Sequence, residues 1–218
     1  MRLLALETST ALGSVALGNE ETLLGEVRMG PHTRHAESLL PATRFLLDRA
    51  GLAAEDLDGI VVGGGPGSFT GVRIAAAAAR GLVRALGVPL FAYPSLMAAA
   101  LNAARADRPV CALFDARRSE VYAACYRFRD GGIETVMAPM VGSVEAVVER
   151  LGSVGPDYTG EGARRYGGLL ADQTILAGDP SASALLSLAR MAGEPVVDPA
   201  AWEPEYLRAP GAERGVRG

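Results

Sequence analysis

Residues 61–82 read VVGGGPGSFTGVRIAAAAARGL, an apolar strand that passes through a glycine-rich turn into an alanine-packed helix within 22 residues. In that turn Gly63, Gly64, Gly65 and Gly67 can take positive φ and admit a second backbone or a phosphate at close range, while Pro66 fixes one torsion. The turn is either a ligand cradle or a packing device. Behind it, periodicity predicts a helix from Gly71 to Leu86. Arg73, Arg80 and Arg84 share one stripe of it, and Ala75, Ala78, Ala79, Leu82 and Leu86 cover most of the remaining circumference. A helix apolar over so much of its surface needs cover on more than one side.

Working outward, Arg2 to Glu7, Gly13 to Leu17 and Thr22 to Met29 are strand-like and separated by short turns, the spacing of antiparallel hairpins. His35 to Ala50 has helical spacing, with Pro41 expected to kink it or mark a restart. Asp58 to Gly63 and Pro89 to Tyr93 complete the order βββαβαβ, which predicts a mixed five-stranded sheet flanked by helices. That order resembles the half-unit of the actin-like ATPase (ribonuclease H-like) α/β fold. A second, smaller α/β lobe is expected over residues 105–208, after a first lobe at 1–104 and before a mobile tail at 209–218. Ser95 caps a helix through Ala104 that closes the first lobe; in the second, Val110 to Phe114 and Val121 to Phe128 form a hairpin, and Ser143 to Leu151 and Ser183 to Met191 are helical. Residues 152–168 are glycine-rich and predict loops around a short strand, and no internal repeat is legible.

Composition removes several function classes. With 218 residues, 49% of them hydrophobic, the chain can bury one sizeable core or two small lobes. No apolar run is long enough to span a membrane, and Met1 to Gly18 lacks the charged leader and continuous apolar region of a signal peptide, so a cytoplasmic protein is expected. The two cysteines, Cys111 and Cys125, have no CxxC spacing and read as small buried residues. A net charge of −4 argues against a free-standing binder of nucleic acid, while leaving room for a local basic edge. All 21 basic residues are arginine, a compositional bias that excludes a P-loop, Schiff-base or general-base lysine.

ETSTALGSVAL at 7–17, HAESLLP at 35–41, GGPGSFTGVRIAAAAARGL at 64–82, PSLMAAA at 94–100, DARRSEVYAA at 115–124 and PEYLR at 204–208 occur in the order expected of the TsaB family, which the chain resembles along nearly its whole length. The resemblance implies an accessory, non-catalytic subunit in making threonylcarbamoyladenosine at position 37 of tRNAs that read codons beginning with A. It implies partners as well: the related catalytic subunit TsaD, which transfers the threonylcarbamoyl group, and the ATPase TsaE. A homodimer when alone, tRNA contact only within the complex, and ATP and metal in the partners rather than in this chain are expected on the same ground.

The catalytic alternative is an actin-like small-molecule kinase. Such enzymes place a carboxylate beside the first hairpin, where Glu7 stands before Thr8 and Ser9; an architectural turn is favoured over a magnesium site. Catalytic relatives carry two histidines four apart on a helix, whereas His32 and His35 are three apart, follow Pro31 and have no third ligand, so no metal site and no metalloprotease is expected. No GxSxG elbow accompanies a serine, which disfavours a hydrolase. For Gly65, Pro66, Gly67, Ser68, Gly71 and Arg73 a structural turn is favoured over phosphate binding at the helix amino end. Asp115, Arg117 and Glu120 fit a cleft wall or a solvated turn equally well.

Five consecutive alanines, Ala75 to Ala79, allow close approach of another helix. The expected partner surface is His35, Leu39, Leu40, Thr43 and Leu47 with Val72, Ala75, Ala76, Ala79 and Leu82, packed as a helical bundle against the equivalent pair of TsaD or of a second copy.

Overall fold

A computed structural model describes residues 1–19, 21–105, 108–129, 132–170 and 173–208; the tail expected at 209–218 lies outside them. The first half folds in the expected order: β1 (Leu3–Glu7), β2 (Gly13–Gly18), β3 (Leu23–Met29), α1 (His35–Ala50), β4 (Gly59–Gly63), α2 (Phe69–Leu86) and β5 (Leu90–Tyr93). The strands form one sheet in the order β3-β2-β1-β4-β5. Pairing is antiparallel from β1 through β3 and parallel from β1 through β5. Helix α1 continues through Pro41 as one element, without the restart that was one of the two expectations. Pro41 is exposed, on the side where a carbonyl left without a donor can turn to water.

The second half contains α3 (Ser95–Asn102), β6 (Val110–Arg117), β7 (Glu120–Arg129), β8 (Gly132–Gly142), α4 (Val144–Leu151), β9 (Asp157–Thr159), α5 (Glu161–Arg165), β10 (Ile175–Leu176) and α6 (Ala182–Ala192). Its sheet order, β10-β9-β6-β7-β8, reproduces that of the first sheet strand for strand. The internal repeat absent from the sequence is therefore present in topology. Strand β8 is not among the expected elements; it carries Pro139 and lies at the sheet edge, where a missing donor is tolerated.

The layers run helix, sheet, helix, sheet, helix. One face of the first sheet, with Leu4, Leu6, Val15, Ile60 and Val62, packs on α1 and α2, and the alternate residues Leu3, Ala5, Ala16 and Val61 pack on α6. Both faces are covered, which is why LLALE carries no polar alternation before Glu7. In the second sheet Val110, Ala112 and Phe114 face Leu96, Ala99 and Ala100 of α3, while Cys111, Leu113 and Cys125 face α4 and α5. Cys111 and Cys125 are buried, unbridged and opposite one another across β6 and β7.

The helices on either side of residue 104 cover opposite sheets. The helix that precedes it, α3, covers the second sheet, and α6, which follows it, covers the first. Beyond Gly193 residues 194–208 form a strap that returns to the first lobe, where the Val196 amide donates to the Leu90 carbonyl (2.7 Å) and the Glu205 amide to the Gly64 carbonyl (2.8 Å). No helix among the described residues is long and apolar enough to cross a membrane.

Candidate functional site

The glycine turn is filled by the protein's own main chain. The Ser68 amide donates to the Ser9 carbonyl (2.7 Å), and Thr8 Oγ1 donates to the Gly71 carbonyl (2.7 Å). A Cβ added at Gly71 would meet the Thr8 carbonyl oxygen, and one at Gly67 the Ser9 carbonyl, both well under 3.0 Å. On the other side Gly65, at φ 87°, leaves room for the Glu205 carbonyl, and Gly64 for the ring of Trp202. The close approach that the sequence announced is thus between the β1–β2 turn, the start of α2 and the strap. Ser68 caps α2 by accepting from the Gly71 amide (3.4 Å). Arg73 stands over the Phe69 ring (3.8 Å to its centre) and donates through Nε to the Tyr206 hydroxyl (3.2 Å).

Glu7 ends β1 fully buried, beneath this turn. Its Oε1 accepts from the Ser9 amide (2.6 Å) and its Oε2 from Ser95 Oγ (2.8 Å), while Ser95 Oγ accepts in turn from the Gly65 amide (3.3 Å). Ser95 was expected to cap α3; Pro94 holds the cap position, and the Ser95 hydroxyl is drawn instead to the buried carboxylate. Burial raises the Glu7 pKa above its ordinary value, against the opposing hydrogen bonds from Ser9 and Ser95. Gly63 is glycine because a Cβ there would strike this carboxylate.

Between the lobes lies a cleft of about 610 Å³. Ser9, Thr10, Gly67, Ser68 and His35 line its first-lobe wall, and Asp115, Arg117, Tyr122 and Glu161 its second-lobe wall. Glu7 is not among its lining residues, so the carboxylate that a kinase of this architecture would use is sealed below the floor. Asp115 is engaged three times, by Arg165 (3.2 Å), by the Tyr166 hydroxyl (3.0 Å) and by the Arg117 amide (3.0 Å). Glu161 has its pKa raised, first by burial and then by Asp115. The open choice for the DARRSE hairpin resolves into a cleft wall for Asp115 and Arg117, with Glu120 paired to Arg208. His35 Nε2 lies 3.3 Å from the Thr10 carbonyl and His32 is exposed; among the described residues no three His, Cys, Asp or Glu side chains are grouped as metal ligands.

The expected partner surface divides. Leu39, Thr43, Leu47, Val72, Ala75, Ala76 and Ala79 are buried in the protein's own structure, and of these Leu39, Leu47, Ala75 and Ala79 belong to the core under the first sheet. Leu40 is 53% exposed, and His35 and Leu82 are half-buried. Phe45, 56% exposed, was missed; it lies out of phase with Leu39, Ala42 and Leu46, and an aromatic ring off the buried stripe is the signal that could have found it. Ala77, Gly81 and Ala85 are the exposed small residues of α2. The arginine flank of α2 is occupied by the strap, with Arg80 Nη2 donating to the Ala200 carbonyl (2.7 Å).

A family model described as TsaD, tRNA N6-adenosine threonylcarbamoyltransferase, matches residues 31–170. The tRNA threonylcarbamoyladenosine biosynthesis protein TsaB of Bacillus subtilis is 37% identical over 137 residues, covering 63% of this chain and 60% of that one. The match thus spans less than two thirds of that relative's length. The solved structure of YeaZ from Pseudomonas aeruginosa is 36% identical, covers 94% of this chain and 99% of that one, and superposes with a TM-score of 0.81. A dehydratase activator from Clostridium difficile, solved with bound ADPNP, is similar in fold alone, with a TM-score of 0.51 at 12% identity over 88% of this chain and 94% of that one.

Proposed function

The chain belongs to the TsaB (YeaZ) family, and on that premise we propose that it serves the synthesis of N6-threonylcarbamoyladenosine in tRNA as a non-catalytic subunit that docks on TsaD through the outer faces of α1 and α2. The observation that carries the reading is the exposed surface of those two neighbouring helices: Leu40 and Phe45 on one, and Ala77, Gly81 and Ala85 on the other. Large apolar knobs beside a stripe of small residues suit helix-on-helix packing, and they are costly to leave in water. A partner with the same architecture offers the complementary pair, as does a second copy of this chain when TsaD is absent. Binding there favours a competent conformation of TsaD, with no bond made or broken by side chains of this subunit. ATP and metal belong to TsaD and TsaE in this scheme, and tRNA meets this chain only within the assembly.

The test is light scattering after size exclusion, for this protein alone and mixed with TsaD, followed by a tRNA-modification assay on each fraction. A mixed complex that modifies tRNA, with this chain inactive alone, is the expected result. The cleft between the lobes gives the competing reading, a small-molecule kinase, its specific support. No complex, together with ATP turnover by the lone chain that is lost in Glu7→Ala, would establish that reading instead.

A further inference from the structure

The chain crosses between the lobes three times: through α3, between β10 and α6, and along the strap. The third crossing differs in kind from the others. Residues 194–208 contain no helix or strand, and not one of them is buried. The strap is held to the first lobe at separate points: Val196 on Leu90, Ala200 under Arg80, Trp202 against Gly64, Glu205 on Gly64, and Tyr206 tilted against Phe69 with ring centres 5.5 Å apart. It reaches the second lobe through Arg208, which donates to the Ala116 carbonyl (2.6 Å) and pairs with Glu120. Ala116 and Glu120 bracket the β6–β7 turn, in which Arg117, Arg118 and Ser119 have φ of 62°, 54° and 60°. Three successive side-chain-bearing residues in the left-handed region persist only where their surroundings hold them, and Arg208 is part of that hold. The same turn carries Arg117 and Asp115 on the wall of the cleft.

We propose that residues 194–208 are a releasable latch that sets the second-lobe wall of the cleft against α2, with the grip of Arg208 on the β6–β7 turn as its point of release. A segment with no buried residue and mostly exposed hydrogen bonds opens locally at far lower cost than the sheets it spans. Opening frees the turn from Arg208 and lets the cleft wall relax, while the two cores stay closed. The inference rests on the fold alone and holds whether or not the chain docks on TsaD.

Hydrogen exchange on Arg208→Gln tests it in the full chain. Losing charge-assisted bonds should speed exchange about tenfold or more in residues 115–120 and in the strap, with β1 and β4 unchanged. Unchanged exchange in the turn, or equal acceleration throughout the chain, would overturn the latch. Should that variant fail to fold, Tyr206→Ala cuts the middle of the strap. Trp202 is the single tryptophan of the chain, and its fluorescence should become more accessible to iodide in that variant; unaltered quenching would equally count against release.

Discussion

Gly71→Ala separates the two readings of the glycine turn. If its glycines serve a ligand, alanine leaves the fold intact and removes only binding. In this structure the new Cβ lands on the carbonyl oxygen of Thr8, a main-chain atom at the buried end of β1 that has no rotamer by which to withdraw. Helix and turn must separate, which costs about 2–3 kcal/mol as overpacking and about 1 kcal/mol for the bond from Thr8 Oγ1 to the Gly71 carbonyl. Alanine's better helix propensity returns about 1 kcal/mol, so the net loss is about 2–3 kcal/mol. At this chain length each kcal/mol moves the melting midpoint by about 2–4 °C, which predicts a fall of about 4–12 °C. Gly81→Ala is the control on the same helix: nothing lies within 4 Å of its Cβ, so the propensity gain alone should raise Tm by about 2–4 °C. Far-UV circular dichroism melts of the three proteins at one pH suffice. A Gly71→Ala protein melting at or above wild type would refute the packing argument and return the turn to ligand binding.

Ala77→Arg and Phe45→Glu, on exposed positions, should abolish assembly with TsaD or with a second copy at unchanged Tm, while Ala76→Arg, at a buried position, should unfold the protein; intact assembly in the first two removes the proposed face. Glu7 has its pKa raised by burial, so its contribution to stability is full below the ordinary value of 4.5 and is lost as pH rises through the higher folded value. Glu7→Gln should therefore become progressively more stable relative to wild type as urea unfolding is repeated from pH 4.5 to 8, and a constant difference would show that Glu7 does not titrate in this way. Burial lifts the thiol pKa of Cys125 to about 12 and that of Cys111 well above its ordinary value. A disulfide reagent at pH 8 should label neither in the native protein and both in denaturant; rapid native labelling would contradict the sealed second-lobe core.

The first lobe was legible because its signals are local. Apolar runs between turn residues give the strands, and the out-of-phase positions of α1 give its exposed side, though only if phase is read rather than apolarity; counting apolar residues alone selected Leu39 and Ala79, which the sheet covers. What fills a glycine's missing side chain was not legible. For Gly67 and Gly71 it is the main chain of Ser9 and Thr8, and for Gly64 and Gly65 it is Trp202 and Glu205, each far away in sequence and without periodicity. Ser95 shows the same limit, since its place before a helix predicts a cap while a buried carboxylate from β1 claims its hydroxyl. An amphipathic helix also does not say which sheet it will cover, so the exchange of α3 and α6 between lobes left no trace.

That exchange decides how the two lobes can communicate. A partner seated on α1 and α2 touches the second lobe only through what lies between: the first sheet, the α3–α6 layer and the strap. The first two are close-packed along their whole path, from Val61 and Ala5 through Leu185 and Ala98 to the α3 residues Leu96 and Ala100 that meet the second sheet. Interiors of that density move as one body, so they transmit a displacement without absorbing it. The strap has no buried residue and ends on the turn that forms the cleft wall. The cores therefore carry α2 and the second lobe together, and under the proposed latch any motion of that wall against α2 is taken up in residues 194–208, whose contacts with the wall are those of Arg208.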